Sequence, residues 1–319
     1  MQNLFLATVR GVYTYQHQAD DWHEIAHGLP NLRVTSIITH QAIALAGTPE
    51  GIYRSDDLGK TWRMASDGLT TRYVRWMAAH DDHLFAGTEP ASIFVSRNNG
   101  ESWRECTEIA QLRDANKWFL PYSSGAGCVR GFAFHGKRAY AAAEVGGALR
   151  SDDRGETWQL CAGSSGKPTL GAPHASFIHP DVHSIAVHPS SPNLVRAPTG
   201  GGFYCSDDGG RTWELKYDCY CRAVWLDPHD ADHMILGPAD GVDANGRIEE
   251  TRDGGKTWHP ASKGLHVPWH HHMVERFEQI ENELFAVLSN GELITAPLTL
   301  EWQPVWSAVK GIHAIAAMV

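Results

Sequence analysis

Ser206-Asp207-Asp208-Gly209-Gly210-Arg211-Thr212-Trp213 is one copy of an octapeptide that recurs along the chain. The frame Ser/Thr-x-Asp/Asn-x-Gly-x-Thr/Ser-Trp returns at Ser55 to Trp62, Ser96 to Trp103, Ser151 to Trp158 and Thr251 to Trp258. Two more segments keep the spacing without the polar residues. Gly11 precedes Trp22 by eleven positions and Gly291 precedes Trp302 by eleven, just as Gly51 precedes Trp62. The seven tryptophans are separated by 40, 41, 55, 55, 45 and 44 residues. A period in this range marks an architecture in which each unit buries its apolar face against the next.

Each period reads as β-structure. In the second, short apolar runs at 34–39, 42–46, 51–54 and 61–64 are separated by Gly, Asp and Pro turn signals. Seven units of four strands predict an all-β, seven-bladed β-propeller, with residues 1–319 as a single domain. The chain enters at what would be a second strand, Leu4 to Thr8, and leaves through Ile312 to Val319, which has the pattern of a first strand. The C-terminal strand is therefore expected to complete the N-terminal blade, closing the ring and removing a sheet edge.

The octapeptide resembles the Asp-box (BNR) repeat of sialidases, xyloglucan-degrading glycosidases, the sortilin ectodomain and the photosystem II assembly factor. The resemblance covers nearly the whole chain and implies a propeller fold. In it the Ser and Asp side chains bond backbone in the turn between strands three and four, Gly permits positive φ, and Trp fills the space between blades. A feature repeated in every blade serves every blade, so its residues are structural rather than catalytic. Sialidases also use three arginines, but they resemble six-bladed propellers with an Arg-Ile-Pro motif near the N-terminus. Here Arg10-Gly11-Val12 and Arg33-Val34-Thr35 stand instead. Xyloglucan-type glycosidases resemble two propellers in tandem, and 319 residues hold one.

Composition narrows the function. The formal net charge of −10 argues against a non-specific nucleic-acid binder, which needs Lys and Arg to displace phosphate counterions. No stretch approaches 18 consecutive apolar residues, so no membrane partner is expected. The N-terminus lacks a basic region followed by an apolar run, which leaves the cytoplasm as the expected compartment. The six cysteines occupy positions of small buried hydrophobes, so free thiols are expected.

Function belongs where the repeats differ. The insertions Glu108 to Gly127, Gly163 to Pro180, Gly237 to Gly246 and Lys263 to Met273 all fall in connections that emerge on one face of a propeller. Trp118 and Tyr122 in the first either wall a pocket or pin the loop to its blade. The second residue of each first strand would ring the channel mouth: His313, Thr35, Arg75, Arg130, His183, Arg222 and Glu275. Three arginines on one axis repel unless a carboxylate, solvent or a ligand anion lies among them. Glu275, with Glu89 and Glu144 before the third strands of blades three and four, supplies carboxylates. The ring is thus either a polar channel with internal salt bridges or a site for a small anionic or sugar-like ligand.

In the second case Arg75, Arg130 and Arg222 hold the ligand, with His313, Trp118, Tyr122 and His272 beside it. Glu275, His183, Glu89 and Glu144 are then the acid–base candidates of a hydrolase or lyase. Among 19 histidines, His40, His80, His135 and His188 recur at strand ends and read as turn residues. A divalent metal would have to be assembled from the non-recurring ones on separate blades, as with His183, His272 and His313. A non-catalytic binding or assembly propeller, with a protein partner, is the competing expectation.

Overall fold

The computed structural model describes residues 2–18, 21–169 and 171–318; Leu170, in the second expected insertion, and Val319, the last residue of the expected first-strand segment, lie outside the described residues. Among the described residues, strands form seven four-stranded antiparallel sheets. Six sheets take four consecutive strands. The seventh joins Ile312–Met318 to Asn3–Thr8, from the Asn3–Met318 pair to the Thr8–Ile312 pair. The expected closure of the ring is present.

The Asp-box turns hold strands three and four in register. In the turn from Ser206, the Gly210 N–H donates to Ser206 Oγ (2.8 Å), whose hydroxyl donates to Asp208 Oδ1 (2.8 Å). Asp208 also accepts from the Thr212 N–H (2.9 Å) and hydroxyl (2.7 Å). Burying a serine hydroxyl and a turn amide without partners would cost about 1–3 kcal/mol, and this network leaves neither alone. The tryptophans pack against the preceding blade. Trp103 Nε1 donates to the Ala65 carbonyl and Trp302 Nε1 to that of Ala261, both at 2.9 Å. A Cβ on Gly68 would lie 2.0 Å from the Trp103 carbonyl oxygen, so the blades meet there only because Gly has no side chain.

Two features differ from the sequence pattern. The first insertion contains a helix, α1 (Thr107–Asn116), seated on the blade through the buried Ile109. In blade five the inner strand is reduced to Ala186–Val187, preceded by an isolated Val182–Thr199 bridge. The six cysteines are free, and five are buried.

The inner strand of almost every blade is irregular near its start. Val74 pairs with Thr88 and Trp76 with Gly87, so Arg75 is an extra residue with no opposite number. The same break leaves out Arg130, Glu275 and His313, and in blade six it spans Arg222 and Ala223. In blade five the N–H groups of His183 and Ser184 share the Pro198 carbonyl. A regular strand sends its side chains alternately to its two faces, here into the two interblade cores. A bulge re-aims one residue. Repeated around the ring, it delivers one side chain per blade to the channel mouth.

Candidate functional site

These side chains meet in a vestibule of about 470 Å³ at the channel mouth, lined by Arg75, Arg130, Arg222, Glu275, Thr35 and His313 of the ring and by Glu144 and Tyr122. Arg276 lies over the Trp76 ring, 3.7 Å from its centroid. Both residues line the vestibule and the lower channel, of about 600 Å³, and form the floor between them.

The two sides of the vestibule differ. On the side of blades four to seven the charges are paired. Arg130 donates to Glu144 (3.2 Å) and Glu275 (3.1 Å), and Arg222 bonds Glu275 and the Tyr220 hydroxyl (3.2 Å). His183 stands 3.2 Å from Asp181. Burial works against the charge of Arg130, but Glu144 and Glu275 overcome it and hold the guanidinium charged far up the pH scale. Burial likewise opposes ionisation of Glu144, and Arg130, together with His183 and hydrogen bonds from Cys128 and Tyr122, outweighs it and brings the carboxyl down to about 2. Glu275 is also lowered against burial by Arg222 and Arg130, and Asp181 by His183. Tyr122 is exposed as a whole (57%), but enclosure of its phenol in the vestibule, followed by Cys128 and Glu144, pushes the phenol upward.

On the side of blades one to three, positive charge is in surplus. Arg75 pairs with Glu89 through one guanidinium nitrogen, and Glu89 also accepts from Ser123. Exposed Arg33 has no ion pair among the described residues. Burial, followed by the charges of Arg33 and Arg276, lowers His313 to about 4, so its ring is neutral. Its Nε2 is buried without a hydrogen-bond partner among the described residues.

The sequence-derived residues separate accordingly. Arg75, Arg130, Arg222, Glu144, Glu275, His313 and Tyr122 come together. Glu89 sits behind Arg75 and His183 is 1% exposed, so both act on the vestibule through a neighbour. Trp118 does not line the pocket. It is buried in the blade-three core and its Nε1 donates to the Gly166 carbonyl (2.7 Å), pinning the two insertions together. His272 is not at the vestibule either, because its ring is stacked on Trp269 with centroids 5.0 Å apart. The metal set His183, His272 and His313 is therefore corrected. The described residues that converge with metal-ligand geometry are Glu144, Asp181 and His183.

Sequence reasoning passed over Arg33, Tyr73, Asp181 and Tyr220, which also line the vestibule. Each stands two residues before a ring residue. The period-two alternation of a strand places such a residue on the same side, and that was the available signal.

Residues 204–215 match the BNR/Asp-box repeat family. No curated protein matches the sequence. Among solved structures, an ancestral GH74 enzyme superposes with a TM-score of 0.61 at 16% identity, over 89% of this chain and 38% of that one. The GH74 xyloglucanase of Xanthomonas campestris gives 0.62 at 18%, over 92% and 47%. YCF48 bound to D1 peptide gives 0.58 at 14%, over 88% and 85%. The chain thus spans less than half the length of either GH74 enzyme and most of YCF48. At these identities the likeness concerns the fold.

Proposed function

We propose that this seven-bladed Asp-box β-propeller uses its vestibule to bind a small, hydroxyl-rich anion, of the sugar-acid or sugar-phosphate class, and to act on it as a lyase or hydrolase. The observation that carries this is the surplus positive charge of Arg33 and Arg75 over Glu89, beside the phenols of Tyr73 and Tyr122. Guanidinium groups recognise a carboxylate or phosphate, and aromatic rings and phenol hydroxyls suit a sugar. Among the chemistries, elimination fits better than two-carboxylate glycoside hydrolysis. The latter needs one carboxyl held protonated, whereas Glu144, Glu275 and Asp181 are all pushed down. In such a step an ionised carboxylate takes the proton and protonated Tyr122 gives one, and ligand binding has to bring both groups toward neutral pKa values for either to act. Arg75 and Arg33 on the ligand carboxylate would acidify the neighbouring C–H. Glu89 and His183 position Arg75 and Asp181.

The second reading, a binding propeller without turnover, is favoured by the internal pairing of every ring charge in blades four to seven, and by YCF48, a structural neighbour of similar length whose structure holds a peptide. Thermal-shift screening of uronates, sugar phosphates and dicarboxylates tests the first reading. A ligand that raises the Tm and loses its effect in Arg75→Ala is expected, and chromatography of that ligand after incubation reads turnover. Absence of any stabilising anion, or a shift unchanged in Arg75→Ala, overturns it.

A further inference from the structure

Two electron-pair donors, an imidazole nitrogen and a carboxylate oxygen, face each other at the edge of the vestibule. His183 Nδ1 lies 2.8 Å from the Cys221 carbonyl oxygen. A ring nitrogen facing a carbonyl carries the hydrogen, so in the neutral ring Nε2 is the lone pair. Asp181 Oδ2 lies 3.2 Å from that lone pair. The other oxygen of Asp181, Oδ1, is buried and has no hydrogen-bond partner among the described residues. A Glu144 carboxylate oxygen completes a set whose three atoms lie within 4.8 Å of one another. Two lone pairs this close repel, and with only the Tyr220 hydroxyl at 3.5 Å beside Nε2 a second ring proton or a metal ion between them relieves that repulsion.

We propose that Glu144, Asp181 and His183 bind a divalent first-row transition ion of the Mn²⁺ or Zn²⁺ kind. One imidazole and two carboxylates suit such ions. Metal–ligand bonds of about 2.0–2.2 Å place neighbouring ligand atoms roughly 3–3.5 Å apart, and the His183–Asp181 separation already has that value. The Cys221 carbonyl supplies the outer contact that fixes the tautomer and orientation of a metal-binding histidine. The surrounding charge agrees. Glu144, Glu275 and Asp181 exceed Arg130 and Arg222 by one negative charge, which a divalent ion reverses. Asp181 and Glu144 line the vestibule while His183 is enclosed. A bound ion would therefore keep open positions toward the cavity, as ligand-binding metals do and closed structural sites do not. The site is independent of Arg33 and Arg75, so the anion reading stands or falls separately.

The test is titration of chelator-treated protein with Mn²⁺ and Zn²⁺ by calorimetry, with electron paramagnetic resonance for Mn²⁺. One equivalent per chain is expected, lost in His183→Ala and Asp181→Asn and retained in His272→Ala and His313→Ala. Asp181→Asn preserves shape, so it decides the matter should His183→Ala fail to fold, with circular dichroism as the check. No binding by the wild type, or an unchanged equivalent in Asp181→Asn, overturns the proposal and leaves the second ring proton between the two groups.

Discussion

Blades four and five are neighbours, and their Asp-box turns are interchangeable. The Gly155 N–H donates to Ser151 Oγ at 2.9 Å and the Gly210 N–H to Ser206 Oγ at 2.8 Å; the Thr157 and Thr212 hydroxyls reach their aspartates at 2.6 and 2.7 Å. At the channel mouth the same two blades place Arg130 and His183 in equivalent irregularities, and the two share no partner. Arg130 spans Glu144 and Glu275, while His183 is held between the Cys221 carbonyl and Asp181. In these two blades the turns keep one side-chain solution. The ring keeps one backbone solution and changes the side chain it delivers. Repetition of side chains therefore marks what holds the blades together, and repetition of backbone with changing side chains marks what the ring presents.

That contrast predicts non-additive effects at the ring and additive effects at the turns. Glu275→Ala should be the most damaging change, because it leaves Arg130 and Arg222 buried with too little negative charge. Loss of one partner from such a network costs roughly 3–5 kcal/mol, and combining it with Arg222→Ala should restore part of that, as read by urea denaturation. Acid comes next. Glu144 is ionised in the fold down to about 2, against an ordinary value of 4.5. Its contribution is complete above the ordinary value and disappears as pH falls through the lower one. Stability should drop by up to about 3 kcal/mol between pH 5 and 2, and Glu144→Gln should flatten that limb.

Ser151→Ala and Ser206→Ala should each cost about 1–3 kcal/mol through an unsatisfied turn, and the double variant their sum to within about 0.5 kcal/mol. Marked coupling between them would break the claim that turns act locally. Smallest in stability is Arg33→Ala, within about 0.5 kcal/mol because the side chain is exposed and unpaired. It should nonetheless weaken binding of any anion that stabilises the wild type, measured by calorimetry.

The ring of blades was legible because the Trp spacing returns seven times and the turn residues agree with it in five of those. The ring residues were legible for the same reason: once the repeats are aligned, Arg75, Arg130 and Glu275 fall in one column. The partners were harder. Asp181 stands two residues before His183, where alternation marks it, but the strand of blade five has nearly dissolved there, so the signal was faint. Trp118 and Tyr122 lie four residues apart in one insertion, and both are aromatic. Their separation into a buried anchor and a cavity wall depends on α1 and on Gly166 in another insertion, contacts that no local pattern encodes. His272 lies in a run of three histidines whose orientation is fixed by stacking on Trp269.

One consequence follows from the seam between Asn3–Thr8 and Ile312–Met318. In every other blade the four strands are joined by continuous chain, whereas here hydrogen bonds and packing alone link the first to the second. The seam strand also contributes His313 to the vestibule. Anything that binds the axial groups around its full circumference would act as a clasp, tying the two ends of the molecule by mass action. Amide hydrogens of Leu4 to Leu6 and Ala314 to Ala316 should then exchange more slowly in the ligated protein, although they lie in a sheet rather than at the ligand.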